Sequence, residues 1–214
     1  TVTFTPGGVL PAETSGVVVS LLLLLFVLGV GKSAVMPLHR WLPAAMVAPT
    51  PVSAFLHAVA VVKAGVFALA KIVVYIFGLN ISSDVLAHWI IWLPAITILV
   101  ASLIAMREDN LKRRLAYSTI SQLSYIVLAV LLFSPEGTLA AGLHITMHAF
   151  AKITLFFGAG AILIASHFTK VSELDGMGRQ IPLVFVCWRF GCLSFGGLPP
   201  RAGLGSKGLV GQAF

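Results

Sequence analysis

Six long apolar runs dominate this chain, at about 17–38, 52–78, 85–106, 115–133, 139–165 and 183–198. A helix that crosses a bilayer needs about 20 residues at about 1.5 Å of rise each. Each run therefore predicts a membrane helix, the last being the shortest. Strands are disfavoured, because the apolar positions do not alternate and backbone polar groups in lipid must be paired inside a helix or a closed barrel. With 58% hydrophobic residues and only 10% charged ones, the chain has too little polar surface to cover a water-soluble globule. The expected class is all-α, a polytopic membrane protein of about six helices, two of them interrupted.

Local signals place the helix ends. Asp109 and Asn110 are candidate caps for the fourth helix, Pro135 sits just past its end, and Pro182 opens the sixth. Pro51 and Ser53 mark the entry of the second, after the Pro49-Thr50-Pro51 corner. Connectors after the odd-numbered runs carry Arg40, then Arg107, Lys112, Arg113 and Arg114, then Lys170 and Arg179, whereas 1–16, 79–84 and 134–138 carry no lysine or arginine. Basic connectors mark the cytoplasmic face, so the first helix runs inward. Arg201 and Lys207 fit this pattern only if they lie within the membrane protein. The expected organisation is an extracytoplasmic segment over 1–16, a membrane domain over 17–207 and a truncated tail over 208–214. The chain starts at Thr1 without a basic leader, so no signal peptide is expected, and a piece of a longer protein is.

The net charge of +7 is scattered through spans and short loops. No basic groove interleaved with aromatics appears, so nucleic acid is excluded as a partner. Cys187 and Cys192 lie five apart in one apolar run and have no Cys/His companions, so they read as small hydrophobes rather than as a disulfide or metal site. No cofactor or metal is expected.

Bases inside the spans carry the functional signal. Lys32 follows Gly29-Val30-Gly31 and precedes Pro37, which predicts a broken helix of the kind tolerated where it lines a polar cavity. Lys207 ends a second stretch rich in breakers, Pro199-Pro200-Arg201-Ala202-Gly203-Leu204-Gly205-Ser206-Lys207. Paired interrupted segments point to an ion site; the plain alternative is a lysine that reaches to the membrane surface, which suits Lys71. Lys63 is mid-span, where a lysine costs about 2.5–3.5 kcal/mol on insertion scales, so it predicts a polar interior face together with His57. His144, His148 and Lys152 recur every four residues. Each step turns a helix by about 400°, so the three form one stripe rising about 12 Å. Histidine titrates near neutrality, and burial disfavours the charged form of any base. The stripe therefore reads as part of a proton path, with a static polar network as the alternative. The acids, Glu13, Asp84, Glu108, Asp109, Glu136, Glu173 and Asp175, lie in or near loops, which leaves the buried bases without carboxylate partners.

Several stretches resemble the antiporter-like family, the large proton-pumping membrane subunits of respiratory complex I and the related subunits of multisubunit cation/proton antiporters. They are Gly31-Lys32-Ser33-Ala34 through Pro37-Leu38, Trp41-Leu42-Pro43, Ala48-Pro49-Thr50-Pro51-Val52-Ser53-Ala54 and His57; Asp109-Asn110-Leu111-Lys112-Arg113 with Leu115-Ala116-Tyr117-Ser118-Thr119-Ile120-Ser121-Gln122; His148-Ala149-Phe150-Ala151-Lys152; and Gly197-Leu198-Pro199-Pro200 with Ser206-Lys207. The resemblance implies an inverted-repeat subunit of which this chain is the middle. It implies channel lysines at Lys32, Lys152 and Lys207, relay histidines at His57, His144 and His148, and a basic residue opening a helix at Lys112. It also implies a glutamate partner for Lys32 that no residue here matches. Lys63 resembles the antiporter branch. Arg189 and the Gly203-Leu204-Gly205 run depart from the family pattern.

The expected function is proton translocation in a bacterial cytoplasmic membrane, beside other membrane subunits and lipid, with protons and Na+ as the ions. Membership of an NADH-quinone oxidoreductase would make the chain an enzyme subunit without a redox site of its own. Two rival readings remain: a b-type haem protein using His57 and His144, since haem takes histidines from facing helices, and a non-transporting scaffold.

Overall fold

The computed structural model describes residues 7–10, 14–79, 89–196 and 202–213, without the side chains of 202–204. Among these residues every regular element is helical. The expectations placed on Glu13, Asp84, Pro199, Pro200 and Arg201 lie outside the described residues.

Helix α1 (Gly16–Gly29) covers only the first part of its apolar run. At Val30 the backbone leaves the helix, a 3-10 turn follows over Gly31–Ser33, and Ala34 is left-handed at φ 55°. The Gly31 carbonyl accepts from the Ala34 amide at 3.2 Å and from the Trp41 indole at 3.1 Å, which ties the turn to the segment beyond it. The interruption expected around Lys32 is thus present, and the run is helical to Gly29 rather than to 38. A short helix α2 (Trp41–Ala44) and a 3-10 turn over Ala45–Val47 lead to the proline corner.

The second run is also interrupted. Helix α3 (Thr50–Ala58) and helix α4 (Val61–Ile72) meet at Val59–Ala60, and α4 continues as a π-turn over Val73–Phe77. The Ala60 amide reaches back five residues to the Phe55 carbonyl at 3.1 Å, which widens the turn. This resets the angle at which Lys63 leaves the helix. Neither glycine nor proline occupies 54–64, so no local breaker announces it.

The remaining helices are α5 (Trp89–Arg107), α6 (Leu111–Val130), α7 (Pro135–Ser166), α8 (Met177–Gln180), α9 (Pro182–Gly196) and α10 (Ala202–Gln212). Asn110 caps α6 by accepting from the Arg113 amide at 3.1 Å, and Ser134 caps α7 by accepting from the Gly137 amide at 3.0 Å. Arg114 closes the end of α5 by donating to the carbonyls of Ala105 and Met106. Helix α10 passes through the expected boundary at 207 without a break.

Helix α7, 32 residues long, is the pillar of the molecule: α3, α6, α9 and α10 all pack on it. Gly160 lets the proline corner close onto it, since a Cβ there would meet the Thr50 side chain at 2.9 Å. Among the described residues, three stretches are long and apolar enough to cross a membrane, Thr50–Phe77, Trp89–Arg107 and Pro135–Ser166; Gly16–Gly29 and Pro182–Gly196 are apolar but shorter. Helix α6, with Tyr117, Ser118, Thr119, Ser121, Gln122 and Ser124 along its middle, is buried on nearly all sides instead of facing lipid. The outer surface is greasy, with Val17, Leu25, Leu99, Phe150 and Ile164 all exposed, as a bilayer-facing surface is.

The basic connectors gather at one end. Asn110 and Lys170 form an isolated antiparallel bridge, flanked by Leu111 N–H to Thr169 O at 2.9 Å and Val171 N–H to Asp109 O at 2.8 Å. Lys112 donates to Ala48 O at 3.0 Å and ties the proline corner to the same end. Asp109, a candidate cap by sequence, instead accepts from the Ser172 amide and hydroxyl at 3.0 and 2.9 Å. These two bonds, the amide first, hold its carboxyl below the usual aspartate value, with nearby Lys170 and Arg114 adding to the effect.

Candidate functional site: a buried cluster of bases

The i, i+4, i+8 stripe on α7 faces inward as its spacing requires. His144, His148 and Lys152 are buried, Lys152 completely, although α7 exposes Phe150 and Phe157 on its other side. The His144 and His148 rings stack at 6.2 Å between centroids and 18° between planes. From α4, the Lys63 ammonium bonds directly to His148 Nδ1. The widened turn at Val59–Ala60 therefore leads into a contact that completes the stripe from a second helix.

His144, Lys152 and Lys207 are held by neutral groups. His144 Nε2 bonds to Gln122 Oε1 and its Nδ1 to Ser206 Oγ, both at 3.0 Å, which links α7 to α6 and α10. Lys152 Nζ donates to Leu115 O at 2.8 Å and to the Ser118 hydroxyl. That hydroxyl in turn donates to Leu115 O at 2.9 Å. Phe195, on the last turn of α9, lies among three of the bases: Lys152 Nζ is 4.7 Å and Lys207 Nζ 5.9 Å from its ring centre, and the His148 ring is 5.8 Å away. Lys207 also donates to Phe195 O at 3.0 Å. No carboxylate enters the group among the described residues. Backbone carbonyls and the negative face of an aromatic ring stand in for the missing counter-charge.

His57 joins from α3. Its ring is fully buried and lies 5.0 Å from that of Phe156, one turn beyond Lys152. Both its nitrogens, and His148 Nε2, have no hydrogen-bond partner among the described protein atoms. Buried polar atoms without a protein partner are uncommon. A small cavity of about 10 Å³, bounded by Gln122, His144, His148 and Phe195, has room for about one water.

Of the seven residues singled out by sequence, the structure gathers Lys63, His144, His148, Lys152 and Lys207, and sets His57 beside them. Lys32 stands apart, exposed on its 3-10 turn. Its backbone nonetheless presses on α4 at Gly65, two residues from Lys63. Sequence reasoning did not name Ser118, Gln122, Ser206 or Phe195 as site residues. Ser118 and Gln122 carry a legible signal, a polar i, i+4 pair in an apolar run; Phe195 carries none.

The haem reading meets a specific obstacle. Both ring nitrogens of His144 are already bonded to protein, and the space beside them is about 10 Å³, far below what a macrocycle fills.

At the basic end a pocket of about 620 Å³ opens between Arg40, Lys112, Arg113, Tyr117, Met46 and Phe168. Tyr117 on its wall directly precedes Ser118 on α6.

A multi-pass helical bundle with a greasy outer surface and buried lysines and histidines at its centre defines an integral membrane protein. The chain belongs to the family described as NADH:quinone oxidoreductase/Mrp antiporter, transmembrane, whose profile it matches over residues 10–213. It is 40% identical over 195 residues to the chloroplast NAD(P)H-quinone oxidoreductase subunit 5 of Marchantia polymorpha, covering 86% of this chain and 27% of that protein. It is 38% identical over 180 residues to NADH-quinone oxidoreductase subunit L of Escherichia coli, covering 83% of this chain and 28% of that protein. Among solved structures it superposes on a chain of an archaeal respiratory complex, the membrane-bound sulfane sulfur reductase, with a TM-score of 0.82 at 31% identity, covering 95% of this chain and 42% of that one. A chain of the Mrp complex of a Dietzia species gives 0.83 at 27% identity, covering 94% and 37%. The chain thus spans about a quarter of the length of its curated relatives. Those relatives are subunits of multisubunit complexes.

Proposed function

We propose that this chain translocates protons as part of a subunit of a multisubunit membrane complex, of the cation/proton antiporter or NADH-quinone oxidoreductase type. Its partners are the other membrane subunits of that complex, and its ions are protons with Na+ as the exchanged cation in the antiporter case. The bacterial cytoplasmic membrane is the proposed location. The driving step, a redox reaction or a sodium gradient, lies outside this chain.

One observation carries the reading: Lys152 is entirely buried and bonded only to neutral oxygens. A permanent charge in that position is expensive, whereas a base that alternates between ammonium and amine is not penalised throughout its cycle. The Ser118 hydroxyl suits both forms. It accepts from the ammonium while donating to Leu115 O, and it can rotate to donate to the free amine. Protons would enter through the pocket at the basic end and reach Lys152 by way of Ser118. His148, which touches Lys63, and its stacked neighbour His144 would pass them laterally toward Ser206 and Lys207. His57, with two unbonded nitrogens beside Phe156, is suited to bridge α3 to Lys152 through water. Lys32 would serve a half-path whose other lining is not in this group.

The test is proton flux in liposomes containing the full complex with Lys152→Ala. The relay predicts loss of flux with assembly retained. Unchanged flux would favour the scaffold reading.

A further inference from the structure

Helix α9 turns Trp188, Gly191 and Phe195 toward α7, and their spacing of three and then four residues puts all three on one face. The Trp188 indole donates to Leu155 O at 3.1 Å, and a Cβ at Gly191 would stand 3.2 Å from Leu155 Cδ2, so the two helices sit close. The Phe195 carbonyl is among the last four of α9, which have no partner inside a helix. Lys207 fills it from α10 at 3.0 Å. The close seat at Gly191 and the Lys207 bond set where the Phe195 ring stands: its centre is 4.7 Å from Lys152 Nζ, which lies over its face.

Lys152 is 0% exposed, so the groups that touch its ammonium all belong to this chain, and nothing outside it can reach the same atoms. An ammonium has three N–H donors. Leu115 O takes one at 2.8 Å and the Ser118 hydroxyl takes a second. Among the described residues the third is left to the face of Phe195. The titratable groups that act on Lys152 are His57 from α3, Lys63 from α4, His148 from α7 itself and Cys192 from α9: three bases and a thiol, with no carboxylate. The face of a benzene ring is negative and attracts a cation; it has no such attraction for the lone pair of an amine. The Ser118 hydroxyl suits both forms of the lysine, whereas the ring favours the charged one alone.

We infer that Phe195 is a positioning residue that sets how readily Lys152 takes up a proton: the face of its ring holds the ammonium form in a site that has no carboxylate. This rests on the reading of Lys152 as an alternating base. Lys207 stands 5.9 Å from the same ring centre, at the limit of about 6 Å for such a contact. It also has the Tyr125 ring at 5.7 Å, so loss of the Phe195 face bears chiefly on Lys152.

The test uses the full-length protein in its complete complex, reconstituted in liposomes at equal amounts, with mono-, di- or trifluorinated phenylalanine in place of Phe195. Each fluorine draws electron density from the face while the ring keeps nearly its size and shape. A desolvated cation–π contact is worth about 2 kcal/mol, so flux at alkaline pH, where proton uptake limits, should fall in even steps to about one thirtieth with three fluorines. The deficit should narrow as the pH is lowered, because acid then loads the lysine without help from the ring. Phe195→Leu, which offers bulk without a negative face, should fall as far as the trifluorinated ring. The same trifluorinated residue at Phe150, 70% exposed on the other side of α7, should leave flux as in the parent. Parent flux through all three fluorinated complexes would overturn the inference. So would complete loss with the first fluorine, the mark of a packing defect, or an equal loss from the change at Phe150. The fluorine series stays readable even if Phe195→Leu fails to fold. Lys152→Met and Lys152→Arg without flux, beside an unresponsive fluorine series, would keep the relay and remove Phe195 from it; parent-like flux in Lys152→Arg would remove both.

Discussion

Replacing Gly65 by alanine probes how closely the Lys32 turn is seated on the helix that carries Lys63. A Cβ at Gly65 would stand 2.7 Å from the Lys32 carbonyl carbon and 2.8 Å from both Lys32 Cβ and Ser33 N. Ordinary contact begins at 3.4 Å, so the turn would have to withdraw by about 0.7 Å. The obstructing atoms are mostly backbone, and no change of rotamer relieves them. Overpacking of this kind costs about 1–3 kcal/mol, partly offset by about 1 kcal/mol of better helix propensity. Gly142 on α7 is the internal control, because a Cβ there meets nothing within 4 Å. Gly142→Ala keeps the propensity gain alone. The two variants should therefore differ by about 1–3 kcal/mol, Gly65→Ala being the less stable. Thermal or denaturant unfolding of the full-length protein in one detergent reads the difference. Equal midpoints would show that the turn does not rest on α4, and the assigned position of Lys32 would be wrong with it.

Two further outcomes follow from the same geometry. Lys152→Met should unfold later than the parent, by about 1–4 kcal/mol, and should carry no proton flux. Leu115 O keeps its Ser118 and Thr119 hydroxyl donors at 2.9 Å, so no buried acceptor is orphaned; a variant less stable than the parent would contradict the description of that anchor. Asp109 makes the 166–181 connector sensitive to acid. Its folded pKa is depressed below 3.8, so its contribution is complete above that value and is lost as pH falls through the lower, folded value. Hydrogen exchange at the Ser172 amide should therefore stay protected at pH 5 and become unprotected well below pH 4. Protection that fails already near pH 6 would point to a different clamp.

Much of the architecture is written in local pattern. The six apolar runs each contain helix, the Gly-Val-Gly and Pro37 breakers predict the interruption beside Lys32, and the four-residue spacing puts His144, His148 and Lys152 on one buried face. The basic connectors likewise predict a common end, which the Asn110–Lys170 bridge and the Lys112–Ala48 bond make physical. What escaped is tertiary in origin. The widened turn at Val59–Ala60 has no breaker in its sequence; what marks it is the i−5 bond of the Ala60 amide. Phe195 is an ordinary aromatic in an apolar run until α9 and α10 bring it against Lys152 and Lys207. The shortage of acids among the spans is visible in composition, but its partial remedy by carbonyls and a ring is visible only in three dimensions. Lys32, one of the residues most clearly marked by its breakers and by family resemblance, sits outside the buried group.

The most direct test of the relay is proton flux through the reconstituted full complex carrying Lys152→Arg. Arginine preserves a positive charge and long-chain donors but does not release its proton. A lysine that works by alternating its charge predicts flux near background, as for Lys152→Met. Flux close to that of the parent would mean that a fixed cation suffices at this position, and the alternating-base account would be wrong.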